Sequence, residues 1–169
     1  MDKIDLKLLA ALQTDGSQTN QALADAVGLS PSSCLRRVER LKAEGVIRAT
    51  VALVDPAALG RPLTAIIEVE LARHGTALSD FLALARIEPA ATHVYAVTGE
   101  SDAILILRLV DIDELNAFCD RLLRDDHYVT RFRTLFVMQT TKESTAIAPG
   151  LALSRKAGPK GRRPATRAT

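Results

Sequence analysis

Two arginine-rich turns inside an amphipathic stretch carry the chain's most specific chemistry. Ser30 to Gly45 reads SPSSCLRRVERLKAEG. On a helical wheel Ser32, Ser33, Arg36 and Arg40 share one side, with Arg37 at its border. Cys34, Leu35, Val38 and Leu41 form an apolar stripe on the other. Hydroxyls near the helix start with guanidiniums further along suit a helix lying in a DNA major groove. An ordinary solvated helix also shows a basic outer face, so the neighbouring elements decide. Ser30 can cap free amides, Pro31 fits the first helical position, and Gly45 suits a helix end.

Thr19–Val27, TNQALADAV, predicts a helix capped by Thr19 or Asn20, with Ala22, Leu23, Ala26 and Val27 as its apolar set. Gly28-Leu29-Ser30 is then a short turn into the basic helix, which is the helix-turn-helix pattern. Met1–Thr14 adds a third amphipathic helix, with Ile4, Leu8, Leu9 and Leu12 on one side. Such a unit has only a small core.

A second stretch of possible chemistry is Gly99-Glu100-Ser101-Asp102. Glycine and aspartate are turn residues. A glycine also lets a carboxylate approach backbone N–H groups, and an acid can pair with an ammonium. His74, His93 and His127 are dispersed, with no nucleophile and base standing together, so no catalytic residue is expected. Cys34 and Cys119 lie far apart, with no CxxC and no histidine at ligand spacing. They read as buried thiols, and neither metal nor cofactor is expected.

The 169 residues are 47% hydrophobic and 25% charged, ordinary values for a globular protein. Tryptophan is absent and aromatics are 4%, so the core must be aliphatic. No run approaches the roughly 20 apolar residues of a membrane span, and the start, MDKIDLKLL, lacks the apolar run of a secretory signal. A cytoplasmic, nucleoid-associated location is expected. The net charge of +2 hides an asymmetry: Arg155, Lys156, Lys160, Arg162, Arg163 and Arg167 stand in the last twenty residues with no acid. Without them 16 bases face 20 acids.

Taken in order, Val46–Val54 is β-branched and predicts a connecting strand. Asp55–Pro62 holds two prolines and a glycine and predicts a hinge. Strands follow at Leu63–Ala72, Ala91–Thr98, Ala103–Val110 and Val129–Thr140, with helices at Thr76–Ile87 and Asp111–Asp125. Asp111 and Glu114 have capping-box spacing. Asp125-Asp126 reads as a loop or helix end. The order β-α-β-β-α-β is the ferredoxin-like split unit, an antiparallel sheet with both helices on one face. The expected class is therefore α+β: a helix-turn-helix domain with connecting strand over 1–54, a hinge over 55–62, a βαββαβ domain over 63–148 and a disordered basic tail over 149–169. Ile66-Ile67 and Ile104-Leu105-Ile106-Leu107 are apolar on both sheet faces, so the uncovered face needs a partner. A two-fold homodimer is the simplest one, and it presents two recognition helices to a palindromic site.

With these residues in hand, the chain resembles the leucine-responsive regulator (Lrp/AsnC, feast/famine) family of transcription factors over about Ile4–Ala148. The resemblance rests on DLKLLAALQTDG at Asp5–Gly16, VGLSPSSCLRRVERLKAEGVI at Val27–Ile47 and GESDAIL at Gly99–Leu105. It implies double-stranded DNA as partner, read by Ser32, Ser33, Arg36, Arg37 and Arg40. It also implies a small effector, usually an amino acid, and dimers often assembled into tetramers or octamers. The family's effector loop is typically Gly-Asp-x-Asp-Tyr, so Thr98, Gly99, Glu100, Ser101, Asp102 and Ala103 become the effector site, with Gly99 and Asp102 as its main contacts. Ala103 stands where the family has an aromatic, which removes a wall from the implied pocket.

Two other readings share these features. A nucleoid-architectural protein differs only in its specificity ratio against random DNA. A regulatory module of an amino-acid-metabolising enzyme needs a catalytic domain, for which two small domains leave no room. The basic tail reads either as a non-specific DNA arm or as a solubilising extension. If it is an arm, deleting Gly150–Thr169 flattens the log–log salt dependence of DNA binding by up to a few units per subunit, at roughly 0.9 for each phosphate no longer neutralised. Operator and random DNA should be weakened equally; matching slopes before and after deletion identify an inert extension.

Overall fold

The computed structural model describes residues 1–72, 75–124 and 128–148. His74, His127, Asp125-Asp126 and the basic tail from Pro149 lie outside the described residues. The described residues divide into two compact units, 1–52 with 143–148, and Leu53–Lys142. The stretch 143–148, the end of the domain expected over 63–148, makes its contacts with the first unit. There the Gln13 side chain donates to the Ile147 carbonyl at 3.0 Å and accepts from the Ile147 amide at 2.7 Å.

The first unit is three helices, α1 (Lys3–Thr14), α2 (Asn20–Val27) and α3 (Pro31–Ala43). Asp2 caps α1 by accepting from the Ile4 and Asp5 amides, and Asp5 accepts from the Asp2 amide in return, a reciprocal capping box. Thr19 caps α2 through the Ala22 amide. Gly28 ends it at φ 72°, a left-handed conformation that glycine adopts without steric cost. Ser30 then caps α3 through the Ser33 amide, with Pro31 first in the helix. The Asn20 side-chain amide donates to the Pro31 carbonyl at 2.8 Å and so fastens the turn from both sides.

The core of this unit is small. Leu8, Leu23, Ala24, Cys34 and Leu41 are buried, with Ile4, Ala11, Leu12, Val27, Leu29 and Val38 around them. Ala24 takes the place expected for Ala22 and Ala26, which are exposed, because α2 turns its Leu23–Ala24–Val27 side to its neighbours. Leu35 also departs from its expected place in the core: it is 48% exposed. The connecting strand expected at Val46–Val54 does not form. A strand needs a neighbour for its ladder bonds, and this stretch has none: Val51, Leu53 and Val54 are 72%, 75% and 59% exposed.

The second unit is β1 (Leu63–Leu71), α4 (Ala77–Ala85), β2 (Ala91–Ala96), β3 (Ala103–Leu109), α5 (Ile112–Cys119) and β4 (Val129–Phe136). A π-helical turn at Asp120–Arg124 continues α5. Asp111 caps α5 through the Glu114 amide, while Glu114 reaches back to the Val110 amide rather than to that of Asp111. The strands form one antiparallel sheet in the order β2-β3-β1-β4, the ferredoxin-like βαββαβ arrangement expected. Along β1 and β3 burial alternates residue by residue, because successive side chains point to opposite faces. Ala65, Ile67 and Val69 with Leu105, Leu107 and Leu109 face Phe81, Phe118, Leu122 and Leu123. Each such large apolar side chain contributes roughly 1.5–3 kcal/mol by leaving water.

The uncovered face is apolar over half its width only. Ile66 lies opposite Ile106 on one side and Leu135 on the other, and Ile104 lies opposite Tyr95. Beyond them Glu68 faces Arg133 and Glu70 faces Arg131, each an ion pair across β1 and β4. Among the described residues no helix is long and apolar enough to cross a membrane.

Candidate nucleic-acid interface and ligand loop

Helix α3 carries all five residues implied for DNA contact, but the fold gives them different work. Asp5 is 1% exposed, the buried charged residue of the described chain. One of its carboxylate oxygens accepts from Arg37 at 2.8 Å and the other from Arg40 at 2.7 Å and from the Asp2 amide. Arg37 also donates to Asp2 at 2.7 Å. Burial pushes the Asp5 carboxyl up, but the Asp2 amide, Arg37 and Arg40 outweigh it and hold the group below its ordinary range. The Asp5 amide and Arg37 bring the Asp2 carboxyl down to about 2. Arg37 and Arg40 thus lock α3 onto the start of α1.

The hydroxyls divide as well. Ser33 is half-buried and accepts from the Ser30 hydroxyl at 2.9 Å within the cap, whereas Ser32 is exposed. The guanidinium of Arg36 is exposed and makes no hydrogen bond or ion pair among the described residues. Of the three arginines it alone is free to reach a base or a phosphate, and Leu35 lies exposed beside it.

In the second unit, the loop after β2 holds the other implied site. Gly99 stands at φ 128°, reachable without strain only by glycine, although a Cβ there would meet nothing within 4 Å. The loop closes through the Val97 amide on the Asp102 carbonyl and the Asp102 amide on the Val69 carbonyl. The Asp102 carboxylate accepts from the Leu71 amide at 2.7 Å, where β1 runs past the end of β3. It is therefore first a backbone anchor. Thr98, Gly99 and Glu100 are exposed or nearly so, and Ser101 is half-buried. The Glu100 carboxylate has no partner among the described residues.

Ala103 does not line this loop's surface. It is fully buried in the sheet–helix core, opposite Val69 and Ala96, because its place in β3 points it to the helix-covered face. Beside the loop, Glu68, Glu70, Arg131 and Arg133 join Glu100 and Ser101 around a shallow surface hollow. Motif reasoning does not single out those four, although the sequence carries their signal. Acids at i, i+2 in one strand and bases at i, i+2 in its neighbour are the pattern of cross-strand ion pairs.

A capped helix-turn-helix pair with a free arginine, joined in one chain to a βαββαβ unit with an open acidic loop, defines a DNA-binding regulator with a ligand-binding domain. Residues 1–48 match the winged helix-turn-helix DNA-binding family, and residues 64–147 match the Lrp/AsnC ligand binding domain. An uncharacterised HTH-type transcriptional regulator of Sinorhizobium fredii is 39% identical over 148 residues, 87% of this chain and 88% of that protein. A transcriptional regulator from Neisseria meningitidis, solved as an L-Met complex, superposes with a TM-score of 0.86 at 34% identity, covering 90% of this chain and 99% of that one. An AsnC family transcriptional regulator from Agrobacterium tumefaciens gives 0.85 at 30% identity, covering 90% and 100%. The chain belongs to the Lrp/AsnC family of transcription regulators.

The Asp5 network gives a test of what holds α3. Replacing a buried ionic partner strands the groups it paired with. Here both arginines can turn to water, at 27% and 46% side-chain exposure. Asp5→Asn should therefore cost about 1–3 kcal/mol, below the range for fully buried pairs, read as faster hydrogen exchange of the α1–α3 amides at pH 7. Both carboxyls titrate below their ordinary value of 3.8. The Asp5 contribution is full above that value and is lost as pH falls below it, through the lowered native titration. The difference between wild type and Asp5→Asn should shrink as the medium is made that acidic.

Proposed function

We propose that this protein is a sequence-specific regulator that binds operator DNA as a two-fold dimer or higher oligomer, and that an amino acid at the Thr98–Asp102 loop alters that binding. The observation that carries the reading is the free guanidinium of Arg36 on the exposed side of α3, while Arg37 and Arg40 are held by Asp2 and Asp5. A fixed helix with one unengaged arginine suits bidentate recognition of guanine. The half-apolar open sheet face, with Ile66, Ile104, Ile106 and Leu135, supports a second copy as its cover. The L-Met bound to the Neisseria regulator supports an amino acid as effector. Binding and release of DNA require no catalytic step, and the place of action is the cytoplasmic nucleoid.

Arg36→Ala should weaken operator binding by roughly 1–3 kcal/mol per half-site without changing the oligomer's mass. Equal affinity of wild type and variant in a gel-shift titration would remove α3 from the groove. For the effector, calorimetric titration with each amino acid is compared in wild type, Asp102→Asn and Asp102→Ala. Asn keeps an oxygen for the Leu71 amide, so it removes the charge alone. If the carboxylate pairs with the ligand's ammonium, both variants lose heat of binding; if Asp102 only closes the loop, Asn binds as wild type does.

A further inference from the structure

Four residues of α3 stand at the i, i+3, i+4 and i+7 spacing of a single helical face: Ser32, Leu35, Arg36 and Glu39. All four are exposed; Leu35, Arg36 and Glu39 make no side-chain hydrogen bond or ion pair among the described residues, and Ser32 makes only a long 3.3 Å contact with the Ser30 hydroxyl. The neighbouring face is the one fastened to α1 by Arg37 and Arg40. The helix therefore has one open face, and its chemistry is a hydroxyl, an isobutyl group, a guanidinium and a carboxylate.

That mixture is unsuited to phosphates. A phosphate-binding face gathers lysine and arginine. Glu39 on the same face would repel a phosphate, and Leu35 would offer it nothing. Each of the four groups does have a partner on base edges in the major groove: guanine for arginine, the cytosine amino group for glutamate, either for serine, and the thymine methyl for an apolar side chain. We infer that Leu35 is a specificity residue that packs against a thymine methyl next to the guanine taken by Arg36. The half-site is therefore marked by a thymine within a base pair or two of that guanine. The inference rests on α3 entering the groove, as proposed above, and goes beyond it by giving an exposed leucine a base to read.

The test uses the full-length protein and DNA sites selected from a random pool. Wild type should select both bases. Arg36→Ala should lose the guanine preference, and Leu35→Ala only the thymine preference. Replacing the selected thymine by deoxyuridine removes the methyl and nothing else. Wild type should then bind about fourfold more weakly per half-site, the value of one buried methyl-sized group. Leu35→Ala should bind both duplexes equally, and Leu35→Met, which keeps an apolar reach, should retain a preference for thymine. Wild type binding equally to thymine and deoxyuridine at every selected position would overturn the inference while leaving the role of Arg36 intact. A Leu35→Ala variant that loses affinity equally for all sequences, or changes oligomer mass, would also overturn it and make Leu35 a packing residue. Failure of Arg36→Ala to alter the selected sites would instead strike at the groove assignment itself.

Discussion

The first unit depends on one buried carboxylate. Three short helices around Leu8, Leu23, Ala24 and Cys34 enclose too little apolar surface to set the rotation of α3 by packing alone. Asp5 supplies what packing lacks. It accepts two guanidiniums and an amide, and in doing so specifies which side of α3 faces α1. A buried charge is tolerable only when its donors are in place, so a rotated α3 would leave Asp5 uncompensated. Hydrophobic contacts between short helices are permissive about rotation; directional hydrogen bonds are not.

The second unit uses a different constraint. Its sheet is fixed by alternation: Ala65, Ile67, Val69 and the odd-numbered leucines of β3 fill the helix side, so the even-numbered residues must face outward. The outward set is split into an isoleucine–leucine half and a Glu–Arg half. Ion pairs that lie across neighbouring strands hold register without requiring cover, whereas the apolar half does call for it. The loop at Gly99–Asp102 sits at the sheet's end, and its two acids have divided roles. Asp102 secures the Leu71 amide, and Glu100 is unengaged. Of the two, only Asp102 is tied to the sheet; Glu100 is exposed and adds nothing to its hydrogen bonding.

Most of the fold is legible in the chain because it is written in periodicity. Helix caps at Asp111 and Ser30, the turn at Gly28 and the βαββαβ order all follow from local pattern and turn chemistry. What escapes depends on information that no local pattern contains. A helical wheel places Leu35 beside Val38 but does not say how far round the core extends. The wheel puts Arg37 and Arg40 near a polar face; only the packing of α1 against α3 brings Asp2 and Asp5 to them. Val46–Val54 has strand composition, but a strand also requires a partner, and composition is silent on that. Ala103 adjoins the loop and so reads as pocket lining, yet strand parity turns it inward.

The locking of Arg37 and Arg40 also changes the electrostatic account of DNA binding. Residues 1–52 hold seven bases and six acids, and two of those bases are matched by Asp2 and Asp5 at under 3 Å. A nearly neutral three-helix segment attracts a polyanion weakly at long range, since steering follows the summed charge. Its affinity must then come chiefly from short-range base contacts, or from positive charge supplied elsewhere. The Gln13–Ile147 clasp bears on this point, because it brings the chain back to the first unit at residue 147, just ahead of the segment richest in unbalanced bases. Assigning Arg37 and Arg40 to position leaves Arg36 as the arginine of α3 without a partner among the described residues, so the helix offers shape and direction rather than a large positive charge.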